Sequence, residues 1–154
     1  MKKIIFLSLS VLFFAACDKE DSIDTEKPEI NISIPGAFPV QCSEIKRGES
    51  FTFRAEFTDN EELGSFGIDI HQNFNHHSHS TETETCSEND VKAPVNPFVV
   101  VENYPIPEGL KRYVAEVDIY VPEDVDTGDY HFLIKVTDKE GWQAIRGLSI
   151  DIIE

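Results

Sequence analysis

Apolar and polar residues alternate with a period of two through most of this chain, and turn signals interrupt the alternation before any segment grows long. It runs through 29–34, 51–57, 66–74, 113–121, 130–136 and 148–152. Pro35-Gly36, Arg47-Gly48, Asp59-Asn60, Pro107-Glu108-Gly109, Thr127-Gly128 and Glu140-Gly141 punctuate it. A period of two sends successive side chains to opposite faces, so each segment reads as a half-buried strand bounded by turns. No stretch carries a helical stripe of useful length. Strands at 29–34, 50–58, 65–73, 111–121, 129–137 and 142–153 predict an all-β sandwich. Residues 74–103 then form a long insertion between the third and fourth of them, with a further strand at 98–101, about seven strands in all.

The length of 154 residues suits one such domain, and 40% apolar content suits one packed core. Lys and Arg number 13 against 29 Asp and Glu, a formal net charge of −16. Nucleic acid and anionic headgroups repel such a surface, which excludes nucleic acid as a bulk electrostatic partner.

The first residues have a different character. Lys2 and Lys3 precede the apolar run 4–14, and Ala15-Ala16-Cys17 follows. A charged start, a short apolar run and small residues read as an export signal, too short to span a hydrocarbon core of about 30 Å comfortably. The other reading is a short anchor that is retained. Ala15-Ala16-Cys17 resembles a bacterial lipobox, with Phe14 where that pattern prefers Leu. The resemblance implies that residues 1–16 are a signal peptide and that Cys17 is acylated. Residues 17–27 are then the acylated Cys and a polar tether, and 28–154 the sandwich domain. Asp18-Lys19-Glu20-Asp21 is similar to the surface-export signal of Bacteroidota lipoproteins, and Asp21-Ser22-Ile23 to an O-glycosylation motif of that phylum. The implied partner is the outer membrane, reached through the Cys17 lipid, with the protein surface-exposed. Losing Lys2 and Lys3 and no acid takes the charge from −16 to −18.

Asp126-Thr127-Gly128-Asp129-Tyr130-His131-Phe132 resembles the tyrosine corner of immunoglobulin-like domains, which leads into the strand lettered F in those folds. Phe132 stands at the inward position that holds a disulfide Cys in antibody domains. The Trp of their strand C is missing, and Trp142 opens the last strand instead. The resemblance implies a broad immunoglobulin-like sandwich, with 74–103 lying between strands C and E. Fold alone does not give function.

Four of the five His lie in one run, His71-Gln72-Asn73-Phe74-Asn75-His76-His77-Ser78-His79-Ser80, and the fifth is His131. Inward parity for Phe66, Ile68 and Ile70 turns Asp69 and His71 outward. Inward parity for Tyr130, Phe132, Ile134 and Val136 turns His131 outward on the same face. Neighbouring strands stand about 4.8 Å apart, so His71 and His131 are within reach of one metal ion. His77 and His79 share the parity of His71 and are the expected further ligands, ahead of His76. Asp69 or a Glu from 82–88 is expected to orient an imidazole or to bind as well. Imidazole suits Zn²⁺, Cu²⁺ and Ni²⁺, with Zn²⁺ first, and the single Met, the initiator, argues against a thioether Cu⁺ site. The competing reading is a solvated polar loop.

The run His71-x-x-Phe74-x-His76-His77-x-His79-Ser80 is followed by Gly128-Asp129-Tyr130-His131-Phe132 and by Thr137-Asp138-Lys139-Glu140-Gly141-Trp142-Gln143. Together they resemble an uncharacterised domain family of Bacteroidota lipoproteins, over roughly residues 26–154. The resemblance implies fold and address more than activity, and implies that the His run and His131 belong to one pattern.

With Cys17 taken by lipid, Cys42 and Cys86 remain, and outside the cytoplasm two Cys most simply form a disulfide. The alternative is that their thiolates join the metal site. A second constellation, of oxygen ligands, gathers where the N-terminus and the turns at 59–62 and 138–141 meet. Asp59, Glu61 and Asp138 are its candidate Ca²⁺ ligands, with Glu29, Asn60, Glu62 and Glu140 around them. Ordinary acidic turns are the competing explanation. No nucleophile elbow, His-Glu-x-x-His or phosphate loop is present, so no enzyme is expected, although a three-His metal with an open position is able to activate water. Two functions therefore follow. One is a cell-envelope lipoprotein that captures a divalent transition metal or delivers it to an outer-membrane transporter. The other is a non-catalytic adhesion or assembly module stabilised by Ca²⁺.

Overall fold

The computed structural model describes residues 23–77 and 86–154. Eight strands are present among them: β1 (Glu29–Asn31), β2 (Ser43–Lys46), β3 (Ser50–Thr58), β4 (Leu63–Gln72), β5 (Val100–Pro105), β6 (Arg112–Tyr120), β7 (Gly128–Asp138) and β8 (Gln143–Ile153). They form a three-stranded sheet, β1-β3-β6, and a five-stranded sheet, β2-β8-β7-β4-β5. All pairs are antiparallel except β2 with β8.

The alternation read from the sequence builds the core. Phe53 and Phe57 of β3 meet Phe66 of β4, with ring centroids 6.2 and 5.2 Å apart, and Phe53 stacks on Phe132 of β7 at 5.7 Å. These rings come from opposite sheets, so the aromatic stack holds the two layers face to face. Tyr130, Ile134, Val136, Leu148 and Ile150 continue the buried layer.

Tyr130 makes the tyrosine corner. Its hydroxyl donates to the Asp126 carbonyl at 2.7 Å and accepts from the Phe98 amide at 3.1 Å. Burial pushes its phenol up to about 12. The bond fixes the chain entering β7, which carries His131, and ties it to the segment that feeds β5.

The structure departs from the sequence reading in four places. β2 was expected to be loop. Phe38 still bridges Arg54 of β3, and then Pro39 and the left-handed Cys42 (φ 62°) break that ladder and move the chain to the other sheet, beside β8. The strand expected at 98–101 is β5, shifted to Val100–Pro105 along the edge of β4. β1 ends at Asn31, ahead of the turn at Pro35-Gly36. Finally, Asp24 is only 8% exposed, so packing begins inside the stretch read as polar tether, ahead of the boundary at Pro28.

Candidate metal centre

Register places His71 of β4 directly opposite His131 of β7. Both lie on the outer face of the five-stranded sheet, since Ile70, Tyr130 and Phe132 on either side of them point into the core. On that face Asp129, Leu133 and Lys135 are half-buried, yet His131 is 0% exposed. Parity predicts its direction and not its burial.

The cover comes from the chain that leaves β4. The Asn73 amide donates to the Asp129 carbonyl at 2.8 Å, and the His76 amide closes a turn on the Asn73 carbonyl at 3.0 Å. His76 then adopts a left-handed conformation (φ 53°), rare for a residue with a Cβ. That reversal sends neighbouring rings apart. His76 turns to Asp129, with Nε2 3.2 Å from Oδ2, and to Glu88 at 3.5 Å. His77 comes back over the sheet, its ring centroid 4.8 Å from His131 and 6.0 Å from His71. One ring nitrogen of each of His71, His77 and His131 lies within 4.8 Å of those of the other two.

Each of the three imidazoles is oriented by an oxygen. Asp69 Oδ1 is 2.7 Å from His71 Nδ1, Asn75 Oδ1 is 2.6 Å from His77 Nδ1, and the His77 carbonyl is 3.0 Å from His131 Nε2. A carboxylate, an amide oxygen and a carbonyl only accept, so the protons sit on those nitrogens. In the neutral form of each ring the lone pair falls on Nε2 of His71, Nε2 of His77 and Nδ1 of His131. Metal-binding imidazoles are usually held this way. The parity argument finds Asp69; Asn75 escapes it because the bond depends on the turn at His76.

Cys42 and Cys86 are joined, with Cα atoms 5.5 Å apart and a sequence separation of 44. The bridge sits beside β8, where the Cys42 amide and the Gln41 side chain bond Ser149, the residue opposite His131. The residues up to His77 are carried by β4, and Cys86, further along the chain, is tied beside β8. Loop-closure entropy over the sequence separation of 44 between Cys42 and Cys86 is worth roughly 4 kcal/mol. Neither sulfur is a thiolate in this arrangement.

The sequence candidates Cys17, His79, Glu82 and Glu84 lie outside the described residues. The oxygen constellation is at the opposite end of β7, seven residues and roughly 23 Å from His131 at the rise of a strand. Asp138 belongs to a close carboxylate group there, but with Asp24 and Glu140 as the other members. Glu61 is exposed and faces Lys111 at 3.7 Å, and Glu62 accepts from the Gly109 amide, which holds its carboxyl below the usual range. Asp59 uses one oxygen to accept the Glu61 and Glu62 amides, each at 2.8 Å. Asp24 was passed over because a polar stretch before the first strand carries no alternation. Its one local signal is an Asx turn, the Glu26 amide bonding Oδ1 at 3.0 Å.

Fold and cluster together define a two-sheet β-sandwich carrying three converging imidazoles on one outer face. The chain belongs to a family described as a domain of unknown function (DUF4625), whose family model matches residues 15–153. No curated protein matches it.

Proposed function

We propose that this chain is a lipid-anchored protein of the cell envelope that binds one divalent transition metal ion through His71, His77 and His131. Zn²⁺ is the first candidate, ahead of Cu²⁺ and Ni²⁺. The observation that carries this reading is the convergence of the three oriented imidazoles from β4, β7 and the turn between them. Nitrogens held about 2.0–2.1 Å from a tetrahedral Zn²⁺ lie roughly 3.3–3.4 Å from one another. The three nitrogens lie within 4.8 Å of one another, near enough for small rotations of the rings to reach that geometry.

Three protein ligands leave one position of a tetrahedral ion open, which suits capture and hand-over better than permanent storage. Lys2-Lys3, the apolar run 4–14 and Ala15-Ala16-Cys17 support a Cys17 lipid anchor in the outer membrane. There the receiving partner would be an outer-membrane transporter. The acidic surface raises the local concentration of cations at the site.

Titration of the purified protein with Zn²⁺, Cu²⁺ and Ni²⁺, followed by calorimetry, tests the reading. One saturable site per chain is expected, with affinity reduced at least about 100-fold in His71→Ala or His131→Ala, beyond the effect typical of outer-shell changes. Weak binding that is equal in the variants and the wild type would instead favour the adhesion or assembly role.

A further inference from the structure

Three carboxylates meet at the end of the sandwich away from the His group. Asp24 comes from the segment ahead of β1, Asp138 closes β7 and Glu140 lies in the β7–β8 turn, and one oxygen of each is within 4.8 Å of the others. Acidic side chains gather in turns for local reasons, so the grouping alone means little. The use of their oxygens is more informative.

Asp138 Oδ1 accepts the Gly141 and Trp142 amides at 2.6 and 2.8 Å. Asp24 Oδ1 accepts the Asn60 side-chain amide at 2.8 Å as well as the Glu26 amide. Those donors hold the Asp24 carboxyl below its usual range, the Asn60 bond most of all. The second oxygens, Asp24 Oδ2 and Asp138 Oδ2, are buried, and no donor among the described residues reaches either one. The residues are only 8% and 4% exposed. Asp59 Oδ1, in the turn next to Asn60, is buried in the same state. The nearby ammonium groups bond elsewhere, Lys139 to Glu62 and Glu108 and Lys111 to Asn60 and Glu61, and only the Lys111 charge helps, as the smallest contribution, to hold Asp24 ionised.

Buried carboxylate oxygens without donors are unfavourable unless a cation joins them. Oxygen ligands 2.3–2.6 Å from one Ca²⁺ lie at most roughly 4.6–5.2 Å apart. Three carboxylate oxygens within 4.8 Å of one another are close enough together for one Ca²⁺ to gather them. The backbone also holds the arrangement in place. Gly64, in the bulge of β4, allows a close approach to Asp138, where a Cβ would stand 2.7 Å from the carbonyl oxygen. Gly141, at φ 100°, makes the turn that Asp138 caps.

We infer that Asp24, Asp138 and Glu140 form a Ca²⁺ site that clamps the segment entering the sandwich onto the β7–β8 turn. The ion joins the N-terminal segment to the far end of β7, so it sets the direction in which the domain leaves that segment. Trp142 reports on the clamp directly: its indole N–H donates to the Asp24 carbonyl at 3.0 Å, and it is the only Trp in the chain.

The test is a Ca²⁺ titration of chelator-treated protein, read by Trp142 emission and by melting temperature. A single saturable change in emission is expected, with a melting temperature raised by roughly 5–10 °C at a hundredfold excess over Kd. Asp24→Asn and Asp138→Asn keep the Oδ1 acceptor and replace Oδ2 by a neutral amide, and Glu140→Gln changes an exposed side chain with no packing to lose. All three are expected to lose the Ca²⁺ response while melting no lower than wild type in chelator. No change in emission or melting up to about 10 mM Ca²⁺, well above the range of extracellular Ca²⁺ modules, overturns the inference. An equal response in the three variants and the wild type overturns it as well.

Discussion

The two ends of the five-stranded sheet each gather three ligand atoms within 4.8 Å of one another, and such a group means different things at each. At the His end three imidazole rings stand on a strand pair and a turn, each oriented by an oxygen, and the Cys42–Cys86 bridge lies nearby beside β8. At the acidic end carboxylates sit in turns, with one oxygen of Asp24 and of Asp138 tied by amides and the other left buried. A small tetrahedral ion needs nitrogens roughly 3.3–3.4 Å apart and tolerates little departure from that. A large flexible ion accepts oxygens over a wider range of separations, up to roughly 4.6–5.2 Å. A ligand separation has meaning only against the radius and geometry of the ion.

That contrast leads to separable outcomes. The largest effect is expected from Cys42→Ser or Cys86→Ser. Loss of the bridge lowers unfolding free energy by roughly 4 kcal/mol in denaturant titrations. It also loosens the chain bonded to Ser149, the neighbour of His131 on β8, so Zn²⁺ affinity is expected to fall while the Ca²⁺ response of the folded protein survives. If both responses fell together, the two ends would be one cooperative unit.

A smaller effect is expected from pH. Protons compete with metal for the imidazole lone pairs, so binding at the His end releases protons and strengthens as pH rises. Going from pH 7.5 to 5.5, Zn²⁺ affinity is expected to fall at least about tenfold, because imidazole ordinarily titrates near 6.5. Carboxylates ordinarily titrate near 4 and remain ionised over that window, so Ca²⁺ affinity is expected to change by less than about threefold. Calorimetry at the two pH values measures both.

The smallest change is expected from Asp69→Ala, which keeps all three ring ligands and removes the oxygen that orients His71. Zn²⁺ affinity is expected to fall about tenfold, at the low end for outer-shell partners. An unchanged affinity would mean that the strand alone orients His71.

Strand alternation was a dependable guide to this fold because most strands bury one face against Phe-rich partners and end at Gly or Pro turns. β2 escaped it: four residues, Ser43–Lys46, are too few to display a period, and what places them is the break at Pro39 and Cys42. The same alternation sets His71 and His131 on one face, and register then sets them opposite each other. Parity carries no information past the end of a strand. It therefore could not foresee that the left-handed His76 sends its own ring to Asp129 and the His77 ring over His131. Nor could it join Asp24 to Asp138, since they are brought together by Asn60 and Trp142 across 114 residues of sequence, from 24 to 138.

X-ray absorption at the zinc edge of the Zn²⁺-loaded protein tests the central claim most directly. Three imidazole nitrogens at about 2.0–2.1 Å are expected, with the outer-shell scattering of intact rings, and His131→Ala should reduce them to two. A first shell made mainly of oxygen, or a spectrum that His131→Ala leaves unchanged, would contradict the account.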